Sequence, residues 1–170
     1  HNESLRSYVE KGVLLLGDVP ATGQHKSPGT SDQMFYNPDW YAQTHFSVVA
    51  ETWVSGPTFV SEKVFKPLAF QHPFIIWGTS GILRYLRQQG FETFEHVIDE
   101  SYDTIEVVPA LRLKKIIKEL DNLYYQFKNK SIFSDNITKE KILHNYNRFY
   151  DIEAQWLDEI INPIRNFVSL

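Results

Sequence analysis

Phe46-Ser47-Val48-Val49-Ala50, then Ser61-Glu62-Lys63-Val64-Phe65-Lys66-Pro67-Leu68, then Pro73-Phe74-Ile75-Ile76-Trp77-Gly78 follow one another along one short stretch of this chain. The first run is rich in β-branched and aromatic residues and reads as a strand. The second opens on a serine able to cap a helix running from Glu62 to about Gln71. The third is a continuous apolar run closed by glycine, the pattern of a strand buried on both faces. Strand, helix and strand in that order form a crossover unit, which joins parallel neighbours.

Outward from this unit the same alternation continues. Val13-Leu14-Leu15-Leu16 reads as a further buried strand, broken by Gly17-Asp18-Val19-Pro20. Residues 21–38 are rich in Gly, Ser, Pro, Asp and Asn and read as a loop. Ser80 is placed to cap a helix from Gly81 to Gln89, with Gly90 as its stop. Thr93 to Ile98 reads as a fourth strand. The expected fold class is therefore α/β: a Rossmann-like parallel sheet flanked by helices.

Past Pro109 the period changes. Leu113, Ile116, Ile117, Leu120, Leu123, Tyr124 and Phe127 recur every three to four residues, predicting a long amphipathic helix. After a polar break at Lys128–Asn136, the residues Ile142, Tyr146, Phe149, Trp156, Ile160, Ile164 and Phe167 mark one or two more. The organisation expected is a nucleotide-binding core over residues 1–107 and a C-terminal helical extension over 108–170, packed as one unit. The alternative use of that helical stripe is docking on a second domain or forming a homodimer.

Composition excludes more than it names. The 170 residues carry a net charge of −4 and 22% charged residues, so bulk attraction to nucleic acid is not expected. The absence of cysteine removes disulfides, thiolate metal sites and thiol nucleophiles, and fits a reducing, cytoplasmic setting. The longest uncharged stretch, Pro67 to Leu83, is too short and polar for a membrane span. The distinctive quantity is 12 Phe, 9 Tyr and 4 Trp, ample for a core and for stacking surfaces.

In a parallel sheet, ligands bind where loops leave the carboxyl ends of the strands. Three segments fall on that edge: Glu51 to Lys63, Gly78-Thr79-Ser80-Gly81, and Asp99-Glu100-Ser101-Tyr102-Asp103. Two of them lead into helix N-termini, whose free N–H groups and positive dipole suit phosphate. A lysine with nearby carboxylates then suits a nucleotide-sugar. Each residue also has an ordinary use. Glu62 complements a helix dipole, Lys63 reads equally as a surface lysine burying little, Ser80 as an N-cap, and Asp99 and Glu100 as a solvated turn. Other chemistries fit poorly. There is no Walker A, GxGxxG or HExxH pattern, no Asp-x-Asp pair, and the six histidines lack metal-ligand spacing. Neither a cofactor nor a metal is expected.

The runs Phe46 to Thr52, Phe59 to Leu68 and His72 to Gly78 together resemble the donor-binding half of GT-B glycosyltransferases. The α1,3-fucosyltransferase signature is the nearest pattern, and a set of phage- and bacterium-encoded glycosyltransferase-like proteins is similar through residues 44–103. The resemblance implies that Glu62 binds a nucleotide ribose and Lys63 a phosphate of a GDP- or UDP-linked sugar. It also implies metal-independent hexosyl or fucosyl transfer if the chain is catalytic. With Glu51, Gly78, Thr79, Ser80, Asp99 and Glu100 these residues form the expected substrate site, and Arg6 would take the place of a family arginine on an earlier helix. No catalytic base is identified. Thr52 stands where the family has Asn, and 170 residues leave no room for the family's acceptor domain. The expectation is therefore a fragment, or a chain completed by another, with a non-catalytic interaction module as the alternative.

Overall fold

The computed structural model describes residues 13–16, 38–106, 108–127 and 132–156. Strand β1 (Val13–Leu16) leads to a short helix α1 (Pro38–Ala42) and strand β2 (Phe46–Ala50). Helix α2 (Glu62–Ala69), strand β3 (Phe74–Trp77) and helix α3 (Ile82–Gln88) follow. A 3-10 turn (Glu100–Thr104) then precedes two long helices, α4 (Pro109–Phe127) and α5 (Asn136–Trp156). The chain is thus α/β, and the three strands pair in the order β1-β2-β3, all parallel. Ser47 stands opposite Phe74 and Ala50 opposite Trp77, so the expected crossover through α2 is present.

The apolar run of β3 is buried as its composition requires, with Phe74, Ile75 and Ile76 almost inaccessible. Val64 and Leu68 of α2, Ile82, Leu83 and Leu86 of α3, and Ile116, Leu120 and Leu123 of α4 share that core. Helix α4 packs on β3 and the 3-10 turn, and α5 packs on α2, where Phe65 and Phe149 meet at 5.9 Å. Helix α5 also reads the backbone beyond α3. Asn145 bonds both the N–H and the carbonyl of Glu92, His144 meets the Gly90 carbonyl, and Arg148 Nε donates to Gln89.

The expected fourth strand is not one. Phe94 and Ile98 are buried as an apolar run should be, but their backbone is turned. The N–H groups of Val97 and Ile98 both return to the Phe94 carbonyl at 2.9 Å. The Phe94 N–H goes to Glu100 Oε1 and the Thr93 carbonyl accepts from Lys141 Nζ. With those groups used locally, no ladder can form.

Helices α2 and α3 end in the same way. After α3, Gly90 N–H bonds Arg87 O and Phe91 N–H bonds Leu86 O, with Gly90 at φ +84°. After α2, Gln71 N–H bonds Leu68 O and His72 N–H bonds Pro67 O, with Gln71 at φ 53°. Both are Schellman motifs, whose left-handed position favours glycine. A β-carbon on Gly90 would also lie 3.0 Å from Arg148 Nε. Gly90→Ala is expected to destabilise by about 1–2 kcal/mol, and Gln71→Gly to stabilise by up to about 1 kcal/mol. Urea denaturation of the pair checks both signs.

Candidate functional site

The carboxyl edge of the sheet is organised around Glu51, the residue that follows β2. Its N–H still reaches the Trp77 carbonyl at 2.9 Å, so the strand pairing holds it rigidly. Its buried carboxylate accepts from both the N–H and the hydroxyl of Ser61, each at 2.7 Å. Ser61 in turn caps α2, its oxygen accepting from the Lys63 N–H at 3.3 Å. The expected cap is therefore present, and one hydroxyl joins strand end to helix start. The segment 52–60 between them becomes a compact loop with tied ends. Two further bonds pin it: Phe59 N–H donates to buried Thr79 Oγ1 at 3.2 Å, and Lys63 Nζ to Thr52 Oγ1 at 3.0 Å. Gly78 stands beside Glu51, and a β-carbon there would lie 2.9 Å from Ile82 Cδ1, so that side chain would have to shift, and in ordinary contact at 3.5 Å from Glu51.

Arg112 of α4 is the third anchor. It is 2% exposed, and its guanidinium donates to the carbonyls of Val54, Gly78 and Ile105. Those carbonyls belong to the loop after β2, the loop after β3 and the chain leaving the 3-10 turn. One buried cation thus gathers three segments. Burial lowers the Arg112 pKa, opposed by the charge of nearby Asp103, which favours the charged guanidinium.

Asp103 changes the reading of the Gly78–Gly81 segment. Its Oδ2 accepts from the Arg84 N–H at 3.3 Å, and the amides of Leu83 and Ile82 also favour its charge. Burial nevertheless raises its pKa. A side-chain carboxylate from this chain therefore occupies the start of α3, where an anionic ligand was expected. Ser80 is not the cap either. Gly81 holds that position without a side-chain bond, and the Ser80 hydroxyl donates to the Asp103 carbonyl at 2.9 Å.

The structure brings Glu51, Lys63, Gly78 and Thr79 to one edge. Glu62 begins α2 at the rim of that edge but faces the other way, lining a groove of about 300 Å³ with Phe65, Lys66, Phe149 and Tyr150. Lys63, by contrast, is 5% exposed. The expectation that it buries little is overturned: the side chain turns in to reach the Thr52 hydroxyl. Asp99 and Glu100 lie elsewhere. Glu100 pairs with Arg87 at 2.9 Å and takes the Thr93 hydroxyl and Phe94 N–H, at the end of α3 remote from Gly78. Burial there raises its pKa. Asp99 caps the 3-10 turn through the Ser101 N–H, the bond that holds its pKa low. Arg6 lies outside the described residues.

Sequence reading missed Arg112, and it placed Asp103, Trp53 and Phe59 within the candidate edge segments without giving any of them a role. Arg112 carried a usable signal: it shares a helical face with Ile116 and Leu123 of the apolar stripe, where a charge must be paired. Asp103 lay in a candidate segment, but nothing local in sequence showed that it would turn back onto the Arg84 N–H at the start of α3.

Among the described residues, no three His, Asp or Glu side chains are grouped as a metal site would need, and no helix is long and apolar enough to cross a membrane. The chain matches no family model, no curated protein and no solved structure.

Proposed function

We propose that this chain is a Rossmann-like nucleotide-sugar-binding domain of the GT-B glycosyltransferase kind, using no metal. The observation that carries the proposal is the parallel β2–α2–β3 unit, which gathers Glu51, the opening turn of α2, Lys63 and Gly78 at one carboxyl edge. Crossover units of this kind bind nucleotides at that edge. The roles follow from the placement. Lys63 Nζ takes a diphosphate oxygen in exchange for the Thr52 hydroxyl, assisted by the dipole of α2. Glu62 faces the groove against α5, away from Lys63 Nζ, and takes no part in this site. Glu51 does not touch ligand; it holds Ser61, and with it the start of α2. In a transferase, the lysine and the helix dipole would stabilise the charge that gathers on the leaving diphosphate.

Calorimetric titration of the full chain with GDP and UDP, without metal, tests this. Affinity below millimolar is expected. Because Lys63 is buried, Lys63→Met is the informative variant, keeping most of the stem while removing the charge. A charge-assisted contact contributes about 1.5–3 kcal/mol, so Lys63→Met should weaken binding roughly ten- to hundredfold. Lys66→Ala, on the groove side of α2, should leave affinity nearly unchanged. Glu62→Gln, in the same groove as Lys66, should likewise leave affinity nearly unchanged. An equal loss with Lys66→Ala would show diffuse electrostatics in place of a shaped site.

A further inference from the structure

We infer that the loop of residues 52–60 is a stacking platform for the nucleobase, with Trp53 and Phe59 as its surface. The inference rests on the nucleotide reading above and names the part of the ligand that this reading leaves unassigned. Trp53 is 62% exposed and Phe59 39%, and their rings lie side by side, centroids 6.4 Å apart and planes inclined at 38°. Neither ring is needed to fill the core, so folding alone gives no reason for two large aromatics on one solvent-facing loop.

The loop is also held as a ligand-binding surface must be. Trp53 lies between Thr52, bonded by Lys63, and Val54, bonded by Arg112, while the Phe59 N–H is itself bonded by Thr79. Its ends are closed by the Glu51–Ser61 pair. Four of these five anchoring side chains, those of Glu51, Lys63, Thr79 and Arg112, are buried. The backbone that carries the rings is thus held before any ligand arrives, which lowers the entropy lost on binding.

Geometry and position choose the occupant. Holding a third ring between two faces at contacts of ~3.5–4 Å on each side needs about 7 Å or more. The pair is closer than that, so a ligand ring lies across it. Phe59 is two residues before Ser61, the cap of α2, so a flat group on the loop adjoins the turn that would receive a diphosphate. A planar heterocycle joined to an anion is a nucleotide, and stacking accepts any base because each has a π face.

Calorimetry of the full chain with GDP, UDP, inorganic pyrophosphate and free monosaccharide tests the inference. Trp53→Ala should weaken GDP and UDP about tenfold or more and leave pyrophosphate unchanged, while Trp53→Phe keeps most of the affinity. Nucleotide binding that survives Trp53→Ala overturns the platform while leaving the nucleotide reading intact. So does a loss confined to free monosaccharide, or a loss only of self-association in sedimentation. If wild-type chain binds neither nucleotide nor pyrophosphate, the nucleotide reading falls and the platform falls with it.

Discussion

Arg112→Met is expected to cost about 3–5 kcal/mol of folding stability, the usual effect of removing one member of a buried charged network. The side chain is nearly inaccessible and supplies hydrogen bonds to Val54, Gly78 and Ile105. Methionine fills similar space but leaves buried carbonyls without donors, and it removes one of the cations near the buried carboxylate of Asp103, leaving Arg87. Arg112→Lys should recover only part of the loss, because one ammonium cannot match a planar fork directed at carbonyls on three segments. Equilibrium urea unfolding measures this. A change below about 1 kcal/mol for methionine would mean that the three segments hold together without the guanidinium.

The second large effect is with pH, at the opposite edge of the sheet. His72 is buried between β2 and β3. A carbonyl can only accept, so Nε2 carries the proton donated to Thr44 O at 2.9 Å, and Nδ1 accepts from the Ser47 hydroxyl at 2.7 Å. The Tyr41 ring meets it edge-on at 5.5 Å. Burial lowers its pKa to about 4, partly opposed by the Thr44 carbonyl and reinforced by His45. In the unfolded chain a histidine titrates near ~6.5. Between those values the unfolded state binds a proton that the folded state refuses, so stability falls as pH drops from about 6.5 towards 4. The slope is about 1.4 kcal/mol per pH unit, or roughly 3 kcal/mol over the window. Asp103 and Glu100, whose pKa values are raised, act in the opposite sense, while Glu95, Asp99 and Asp135, whose pKa values are lowered, act in the same sense but only towards the acid end of the window. Urea midpoints at pH 7.5 and 4.5 should therefore diverge clearly more in wild type than in His72→Gln, the other shifted groups being common to both. Equal slopes in the two proteins would show that the acid sensitivity lies elsewhere.

The legible parts of this fold were those fixed by short-range chemistry. Phe46–Ala50 and Pro73–Trp77 declared themselves by composition, and Ser61 by its place before Glu62 and Lys63. The Glu-Lys pair also looked like one site because its members are adjacent. On a helix, neighbours point about 100° apart, and here Lys63 turns under the loop while Glu62 turns towards α5. Gly78-Thr79-Ser80-Gly81 misled for a different reason. The groups that a helix start leaves open can be filled from anywhere in the chain, and Asp103 fills them from beyond the 3-10 turn. Phe94 to Ile98 misled because burial and extension share one sequence pattern. Glu100 and Lys141, which take the backbone groups of that segment, are separated from it in sequence.

Amide chemical shifts of the full chain, followed by NMR during addition of GDP and UDP without metal, test whether nucleotide binds at the carboxyl edge. The expected shifts concentrate at residues 52–63 and at Gly78 and Thr79, saturating below millimolar ligand, with residues 89–96 and helix α5 beyond Tyr150 unmoved. Unchanged shifts at millimolar nucleotide, or shifts centred away from the carboxyl edge, would contradict it.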